Sequence, residues 1–191
     1  MVLIEILPET HSVELSIEYA TPNNFTGKPV YTRAACYLHP EAEELLRRAV
    51  KLAENLSLKL KIFDAFRPSE AQQVLWKHTP DPDFLVNPNR GSPHSRGAAI
   101  DLTLVNLNGH ALEMGTAFDA FTNHSHHGNT EISADAQQNR ALLIGIMTTA
   151  GWDFYRNEWW HYQLFNAQRL PLLSDTILEV PMMDNEPFLA L

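Results

Sequence analysis

Hydrophobic and polar positions repeat with two different periods along the chain, and these periods mark the predicted elements. A period of two predicts strands that bury one face, whereas spacings of three and four residues predict amphipathic helices. Predicted strands cover residues 13–17, 58–62, 97–104 and 159–164, and predicted helices cover residues 40–56, 69–78 and 135–150. Strands and helices that do not alternate strictly are typical of α+β folds. The pattern therefore predicts an α+β fold, with a central antiparallel sheet flanked by helices in a single domain over residues 1–191.

Capping residues support the predicted helix boundaries. Pro40 fits the first position of a helix, and Gly151 stands where a C-terminal cap glycine belongs. Ser69 with Gln72 resembles a capping box, in which two side chains satisfy free backbone N–H groups at a helix start. Asp135 is predicted to cap the last helix.

Two long loops interrupt the pattern. Residues 79–93 are rich in proline and lack periodicity, and a loop of that length in a compact domain is often functional. Residues 120–134 are polar and contain His124, His126 and His127. Three close histidines in such a loop are usually solvated, and a second metal site or a lid is the alternative. The remaining histidines outside the motifs below are predicted to lie at the surface: His11, His39, His78 and His110.

Composition and charge limit the classes of function. The 191 residues are 45% hydrophobic with a formal net charge of −9, so the chain is expected to fold and to avoid nucleic acid and anionic membrane surfaces. Cys36 is the only cysteine, which excludes an intrachain disulfide and a cysteine zinc cluster. The start lacks the basic segment of a signal peptide, and the longest apolar run, residues 141–147, is shorter than the ~20 residues of a membrane span. We therefore expect a cytoplasmic protein, although a periplasmic chain shorn of its leader has the same features.

Two separated motifs supply metal-ligating side chains. His94 and Asp101 lie in one motif, and His161 ends the sequence Glu-Trp-Trp-His. Zinc in hydrolases prefers three protein ligands of this kind, which leave a fourth position open. Asp101 lies on the strand face that carries small residues, which leaves space for a metal, and Gly97 lets the backbone turn from loop to strand. A single buried His or Asp is more often a hydrogen-bonding residue than a ligand, but the two motifs together favour a zinc site.

Glu158 is the candidate general base. A regular strand through residues 158–161 would turn Glu158 and His161 to opposite faces, so Glu158 is expected at a bend before the strand. That position places the carboxylate beside the metal and the attacking water. Trp159 and Trp160 are expected to form apolar walls that exclude bulk water.

Arg67 follows a predicted strand and precedes a predicted helix. A guanidinium carries a permanent charge and five donors, which suit a developing oxyanion or a substrate carboxylate. A structural ion pair, with Asp64 as the partner, explains the same spacing equally well. The residues alone leave both interpretations open.

Beyond these motifs, the chain from about Glu18 to Leu164 resembles the D-alanyl-D-alanine dipeptidases, zinc enzymes associated with vancomycin resistance and with recycling of peptidoglycan dipeptides. The stretches that carry the resemblance are Tyr19-Ala20, Asn24 to Gly27, Asp64 to Pro68, Ser92 to Leu104, Met114-Gly115, Phe118-Asp119 and Glu158 to Tyr162. The Trp-Trp pair and the Asn-Phe-Thr-Gly stretch distinguish this family from other zinc peptidases with the same ligands. Phe66 and Pro93 depart from the family's usual residues, and neither departure removes a catalytic group.

The resemblance implies hydrolysis of a small dipeptide, D-Ala-D-Ala, to two molecules of D-alanine. The zinc ligands that it implies, for one Zn2+ per chain, are His94, Asp101 and His161. The catalytic residues that it implies are Glu158 as general base and Arg67 as transition-state stabiliser. The dipeptide pocket that it implies is lined by Ser92, Tyr19 and Asp119, with Asp119 suited to the substrate ammonium.

Two other functions stay open at this point. A peptidoglycan DD- or LD-carboxypeptidase uses the same zinc ligands on longer stem peptides, and an open groove rather than a small closed pocket would favour it. A non-catalytic zinc-binding module would keep the ligands but needs neither Glu158 nor Arg67. The sequence does not indicate the oligomeric state.

Overall fold

The regular structure is organised around one five-stranded sheet in the computed structural model, which describes residues 2–184. In chain order the elements are β1 (Ile4–Glu5), α1 (Pro8–His11), β2 (Glu14–Leu15), β3 (Tyr37–Leu38), α2 (Pro40–Glu54), β4 (Leu58–Asp64), α3 (Ser69–His78), β5 (Ala99–Asn106), α4 (Ala134–Ala150), β6 (Asp153–Phe154) and β7 (His161–Gln163). The sheet has the strand order β2-β4-β5-β7-β6, and β1 and β3 form a separate two-stranded sheet. This mixture of a central sheet and flanking helices confirms the predicted α+β fold.

One edge of the central sheet differs from the predicted antiparallel arrangement. The pairs β4–β5, β5–β7 and β6–β7 are antiparallel, whereas β2 pairs with β4 in parallel. Parallel neighbours need a crossover connection, usually through a helix, rather than a tight turn. Because α2 lies between β2 and β4 in the chain, it supplies this crossover and sets the direction of the edge strand.

The core lies between the sheet and its helices. Helix α2 packs against both α4 and β4. Leu46 of α2, Leu60 of β4 and Leu143 of α4 are fully buried, and the buried apolar side chains form one continuous cluster. Burial of each such side chain contributes about 1.5–3 kcal/mol, so this cluster holds the sheet rigid behind the polar side chains described below. The range of residues 1–191 predicted for the domain extends past the described residues and stays a prediction.

The register of β5 positions the polar residues of the central sheet. Asp101 pairs with Asp64 on β4 and with His161 on β7. A bulge between Ile62 and Asp64 shifts the β4–β5 register by one position. A bulge re-aims the side chain that follows it. The three polar residues therefore meet at one level of the sheet.

The capping residues differ from two of the predictions. The capping box predicted at Ser69 and Gln72 is wrong, because Ser69 Oγ donates to a distant backbone carbonyl and Gln72 Oε1 accepts from Arg67. Helix α4 is capped by Ser133, whose side chain accepts from a backbone N–H, and not by Asp135.

Two predicted strands are shorter than expected. The first is limited to Glu14–Leu15, because a 3-10 turn at Glu18–Ala20 follows it. The last is limited to His161–Gln163, because the two tryptophans before it lie in a turn. In residues 2–184, no helix combines the length and the apolar character that crossing a membrane requires.

Candidate metal centre and its cleft

Three buried side chains from separate elements converge beside the sheet. His94 lies in a 3-10 turn before β5, Asp101 lies on β5, and His161 begins β7. His161 Nδ1 is 3.1 Å from both His94 Nε2 and Asp101 Oδ1, and His94 Nε2 is 3.3 Å from Asp101 Oδ2. One ligand atom from each residue lies within 4.8 Å of the other two. The set therefore has the donor types and the spacing to hold one metal ion, and two imidazoles with one carboxylate suit zinc.

Hydrogen bonds to the outer ring nitrogens determine which atoms face the metal position. His94 Nδ1 donates to the Ala65 carbonyl over 2.7 Å, so its Nε2 carries the free lone pair. His161 Nε2 donates to Gln163 Oε1 over 3.1 Å, which leaves its Nδ1 free. Metal-ligating histidines almost always have such a second partner, which fixes the tautomer and the ring orientation.

Gly97 brings the backbone from the His94 turn into β5. Its φ of +64° is a left-handed conformation, and an added Cβ would lie 2.7 Å from Leu3 Cδ2 and 3.0 Å from the His39 backbone nitrogen. Both the backbone conformation and the close contact require glycine. This explains the predicted role of Gly97 between the two ligands.

Asp101 is held in its ionised form by its neighbours. Burial alone would raise the pKa of this carboxyl, but His94 and His161 beside it lower that pKa below the ordinary range. An ionised carboxylate is the form that binds a metal cation.

Glu158 lies in the turn before β7, as the sequence predicts. Its carboxylate is buried, and its Oε2 is 3.8 Å from His161 Nδ1. Burial raises the pKa of Glu158 well above its ordinary value, and the negative charges of Asp101 and Asp119 raise it further, while Arg67 lowers it. The glutamate is thus a carboxyl group, beside the three candidate ligands, that can hold or release a proton.

Arg67 forms the ion pair with Asp64 that one interpretation of its spacing predicts, and it also lines the cleft. Its role toward a substrate stays a prediction. Its Nε donates to Asp64 Oδ2 over 2.8 Å, and its Nη2 is 3.5 Å from Asp101 Oδ2. The guanidinium also lies over the Tyr19 ring, 4.9 Å from the ring centroid. The buried carboxylates of Asp64 and Asp101 keep this cation in place next to the His-Asp-His group.

The three side chains expected to contact the substrate also line the cleft. Within residues 2–184, the buried atoms Tyr19 Oη and Asp119 Oδ2 have no hydrogen-bond partner. Ser92 Oγ accepts from the His94 backbone N–H over 3.2 Å, which leaves its own hydrogen to donate. Asp119 has a φ of 57°, which is unusual for a residue other than glycine. Buried polar atoms without partners are costly in a folded protein, and both Tyr19 Oη and Asp119 Oδ2 belong to residues that line the cleft.

The cleft has a volume of about 830 Å³. One wall is formed by the proline-rich loop, from Pro82 to Asn87, and the tail segment from Asn166 to Arg169 forms another. Trp160 contributes an apolar wall, as predicted, whereas Trp159 directs its Nε1–H to Thr116 Oγ1 over 2.8 Å. The long loop predicted to be functional is therefore part of the site.

Two of the histidines predicted to lie at the surface are buried, and that prediction is wrong for them. His11 contacts Glu43 Oε1 at 3.2 Å, and His39 caps α2 by accepting from the Glu41 N–H. Each is buried because it joins a helix end to a polar partner, which no hydrophobic period reveals. His78 and His110 are exposed as predicted.

The three loop histidines stay apart from the metal centre. His124 is exposed and lies 3.6 Å from Glu131, and the His126 ring lies 6.0 Å from the Phe84 ring. His127 packs against Phe154. Among the described residues, the group that can hold a metal is the one at His94, Asp101 and His161.

Sequence reasoning missed several residues that support the site. Tyr31 Oη donates to Asp64 Oδ1 over 2.9 Å, and Gln72 holds Arg67. Gln163 holds His161 and follows it by two residues, so strand alternation places both on one face. The sequence could therefore have predicted the contact between Gln163 and His161. It could not have predicted the contact between Tyr31 and Asp64, because these residues lie 33 positions apart.

A buried His-Asp-His group, with a glutamate and an arginine beside it in a cleft, defines the class of metal-dependent hydrolases. The profile of the family described as D-ala-D-ala dipeptidase matches residues 3–183 of this chain. The chain therefore belongs to the D-Ala-D-Ala dipeptidase family of metallopeptidases. The match also includes the tail after residue 164, in which the sequence showed no resemblance.

Curated relatives agree with the family assignment. The chain is 41% identical over 173 residues to the D-alanyl-D-alanine dipeptidase of Escherichia coli K12, which covers 91% of this chain and 90% of the relative. It is 36% identical over 175 residues to the D-alanyl-D-alanine dipeptidase of Enterococcus faecium, which covers 81% of this chain and 87% of the relative. The similarity thus covers at least 81% of this chain and at least 87% of each relative.

Proposed function

We propose that this protein hydrolyses D-alanyl-D-alanine to two molecules of D-alanine, with one zinc ion held by His94, Asp101 and His161. The observation that carries the proposal is the buried Asp119 Oδ2, which has no partner among the described residues and lines the same cleft as the ligand set. A free dipeptide carries an ammonium group that pairs with such a carboxylate. The names of the relatives support the choice of substrate.

Zinc, when bound, lowers the pKa of water and polarises the scissile carbonyl. Glu158 accepts the proton of the attacking water and then passes it to the leaving amine. A general base that must also act as an acid works best with a pKa near the working pH, and burial raises the pKa of Glu158 in that direction. Arg67 donates from Nη2 to the carbonyl oxygen as negative charge develops there.

The remaining cleft residues orient the dipeptide. Asp119 binds the ammonium group. Burial raises the pKa of Asp119 well above its ordinary value, the Arg67 guanidinium lowers it and Asp101 raises it, so an ammonium group beside Asp119 favours its ionised form. Tyr19 Oη and Ser92 Oγ donate to the polar atoms of the substrate. These roles support a pocket that recognises both ends of a small, charged molecule.

A peptidoglycan carboxypeptidase is the second candidate, and the size of the cleft favours it. A volume of about 830 Å³ exceeds what two alanine residues fill and is typical of sites for larger ligands. The partnerless Asp119 oxygen favours the dipeptidase, because the acylated amine of a stem peptide has no charge to offer it.

Turnover by zinc-loaded protein separates the two candidates. Free D-Ala-D-Ala should be cleaved at least about 10²-fold faster than N-acetyl-D-Ala-D-Ala, because the acylated peptide leaves Asp119 buried and unpaired. L-Ala-L-Ala serves as the stereochemical control. Asp119→Asn has nearly the same shape as the wild-type residue but no charge. This variant should show a smaller difference between the cleavage rates of the free and the acylated peptide. Equal rates on both D-peptides with the wild type would assign the carboxypeptidase activity instead.

A further inference from the structure

Gln72 joins the candidate catalytic arginine to the wall of the cleft. The residue is 2% exposed, and its amide has a partner at each end. Gln72 Oε1 accepts from Arg67 Nη1 over 3.0 Å, and Gln72 Nε2 donates to the Val86 carbonyl over 2.7 Å. Val86 belongs to the proline-rich loop that lines the cleft. One side chain on α3 therefore contacts two separate parts of the site.

The contact with Gln72 determines the direction of the free corner of Arg67. The guanidinium is planar, and its Nε and Nη1 donate to Asp64 and Gln72. Two fixed corners of a planar fork fix the third. That third corner, Nη2, lies 3.5 Å from Asp101 Oδ2 and is the one left for a substrate oxygen.

The loop has further attachments to residues outside α3. Tyr155 Oη and Asn157 Nδ2 donate to the Asp83 carbonyl over 2.9 and 3.1 Å, and the Phe84 ring stacks on Phe121 with a centroid distance of 4.9 Å. These contacts hold the first part of the loop. Gln72 holds the part around Val86, which follows them in the chain.

We propose that Gln72 is a positioning residue: its Oε1 orients Arg67 toward the reacting carbonyl, and its Nε2 holds the cleft wall at Val86. The kinetic consequence rests on the proposed function, in which Arg67 stabilises the oxyanion. The two hydrogen bonds themselves do not depend on any substrate.

Two substitutions separate the two halves of the amide. Gln72→Glu keeps an acceptor for Arg67 but places a carboxylate oxygen against the Val86 carbonyl, so the loop contact is lost. Gln72→Leu has a similar volume and loses both contacts. Gln73→Leu is the matched control, because Gln73 is the neighbouring, exposed residue of the same helix.

Steady-state kinetics on D-Ala-D-Ala and hydrogen exchange of residues 79–93 are measured on metal-loaded protein. Gln72→Leu should lower kcat about tenfold, the effect of one misplaced hydrogen-bond donor, while its metal content stays at the wild-type level. Gln72→Glu should keep kcat within about threefold and raise KM. Both variants should accelerate hydrogen exchange in residues 79–93. Gln73→Leu should change neither the kinetic constants nor the hydrogen exchange. Unchanged kcat in Gln72→Leu would overturn the proposal, and an equal loss of kcat in both variants would overturn the assignment of Oε1 to Arg67.

Failure of the proposed function gives a different result. In that case the wild type cleaves none of the alanyl dipeptides, and hydrogen exchange alone tests Gln72. Faster exchange of the loop in both variants then supports the coupling between α3 and the cleft wall, and unchanged exchange overturns it.

Discussion

Two groups of histidines in this molecule differ in whether the fold brings their side chains together. His94 and His161 are 67 positions apart in the chain, yet His94 Nε2 and His161 Nδ1 are 3.1 Å apart. His124, His126 and His127 are nearly consecutive, and their side chains have separate surroundings. His161 is aligned with Asp101 by the pairing of β7 with β5, and His94 lies in the turn before β5, held by the Ala65 carbonyl. The second group lies on a loop, and its side chains have no such common frame. Contacts around the sheet, rather than closeness in the sequence, bring these candidate ligands together.

Removal of a ligand should give the largest effect and tests this comparison directly. His94→Ala and His161→Ala should each lose the bound metal and about 10³-fold or more of turnover, because several kcal/mol of charge stabilisation disappear with it. Metal analysis of the purified proteins checks the first effect. His124→Ala is the matched control and should retain one metal ion per chain. Full metal content in both ligand variants would place the site elsewhere and remove the contrast between the two groups.

Glu158 lies beside the candidate ligands but does not belong to the group that could hold the metal. Its substitution therefore tests catalysis separately from metal binding. Glu158→Gln should keep the metal and the fold but lower kcat by about 10²–10⁴-fold, because an amide cannot accept a proton from water. Metal content and kcat are measured on the same preparation. Near wild-type kcat in this variant would falsify the proposed mechanism and return the proton transfer to another group.

Most of the fold and of the candidate metal centre could be predicted from the sequence, because these features follow local rules. The period of two in β5 predicted that Asp101 lies on the face away from Ile100 and Leu102, and these two residues belong to the apolar core cluster. Gly97 marked the turn before the strand. The glutamate was correctly expected outside the last strand, because regular alternation cannot put it beside His161. These inferences each depend on spacings of a few residues.

The rest could not be predicted, because it depends on contacts between distant parts of the chain. The parallel edge strand β2 follows from the crossover through α2, which a period of two does not reveal. Gln72 was expected to cap its own helix, yet its partners are Arg67 and the loop carbonyl of Val86. The buried positions of His11 and His39 likewise depend on partners that only the tertiary structure supplies.

Arg67 should give the next effect, and its kinetics assign its role. Arg67→Ala should lower kcat by about 10²–10³-fold, the loss expected for an oxyanion donor, and the metal should stay bound. If Arg67 only held the substrate carboxylate, KM would rise with kcat nearly unchanged. Arg48→Ala is a suitable control, because Arg48 is an exposed arginine paired with Glu44 on α2. A pure KM effect would reassign Arg67 to substrate binding and leave the metal as the main stabiliser of the oxyanion.

His127 should give the smallest effect on catalysis, and its substitution sharpens the contrast with His161. Its ring centroid lies 5.1 Å from that of Phe154, and its Nε2 is buried without a hydrogen-bond partner in the described part of the chain. Burial lowers the pKa of His127 to about 4, and the nearby Arg140 guanidinium acts in the same direction. The ring is therefore neutral in the folded protein at neutral pH. His127→Phe should leave metal content, kcat and KM unchanged.

The same substitution should change how stability depends on pH. Between about pH 6.5 and pH 4, the unfolded state binds a proton on His127 that the folded state does not, so wild-type stability falls as the pH falls through this range. His127→Phe removes this loss, which amounts to at most about 3 kcal/mol. Urea unfolding at pH 7 and pH 4.5 measures the difference, with the exposed His110→Phe as the control. The free energy of unfolding of His127→Phe, relative to that of the wild type, should therefore be higher at pH 4.5 than at pH 7. No such increase would mean that His127 is protonated in the folded state as readily as in the unfolded state, and that its burial does not distinguish it from a solvated histidine.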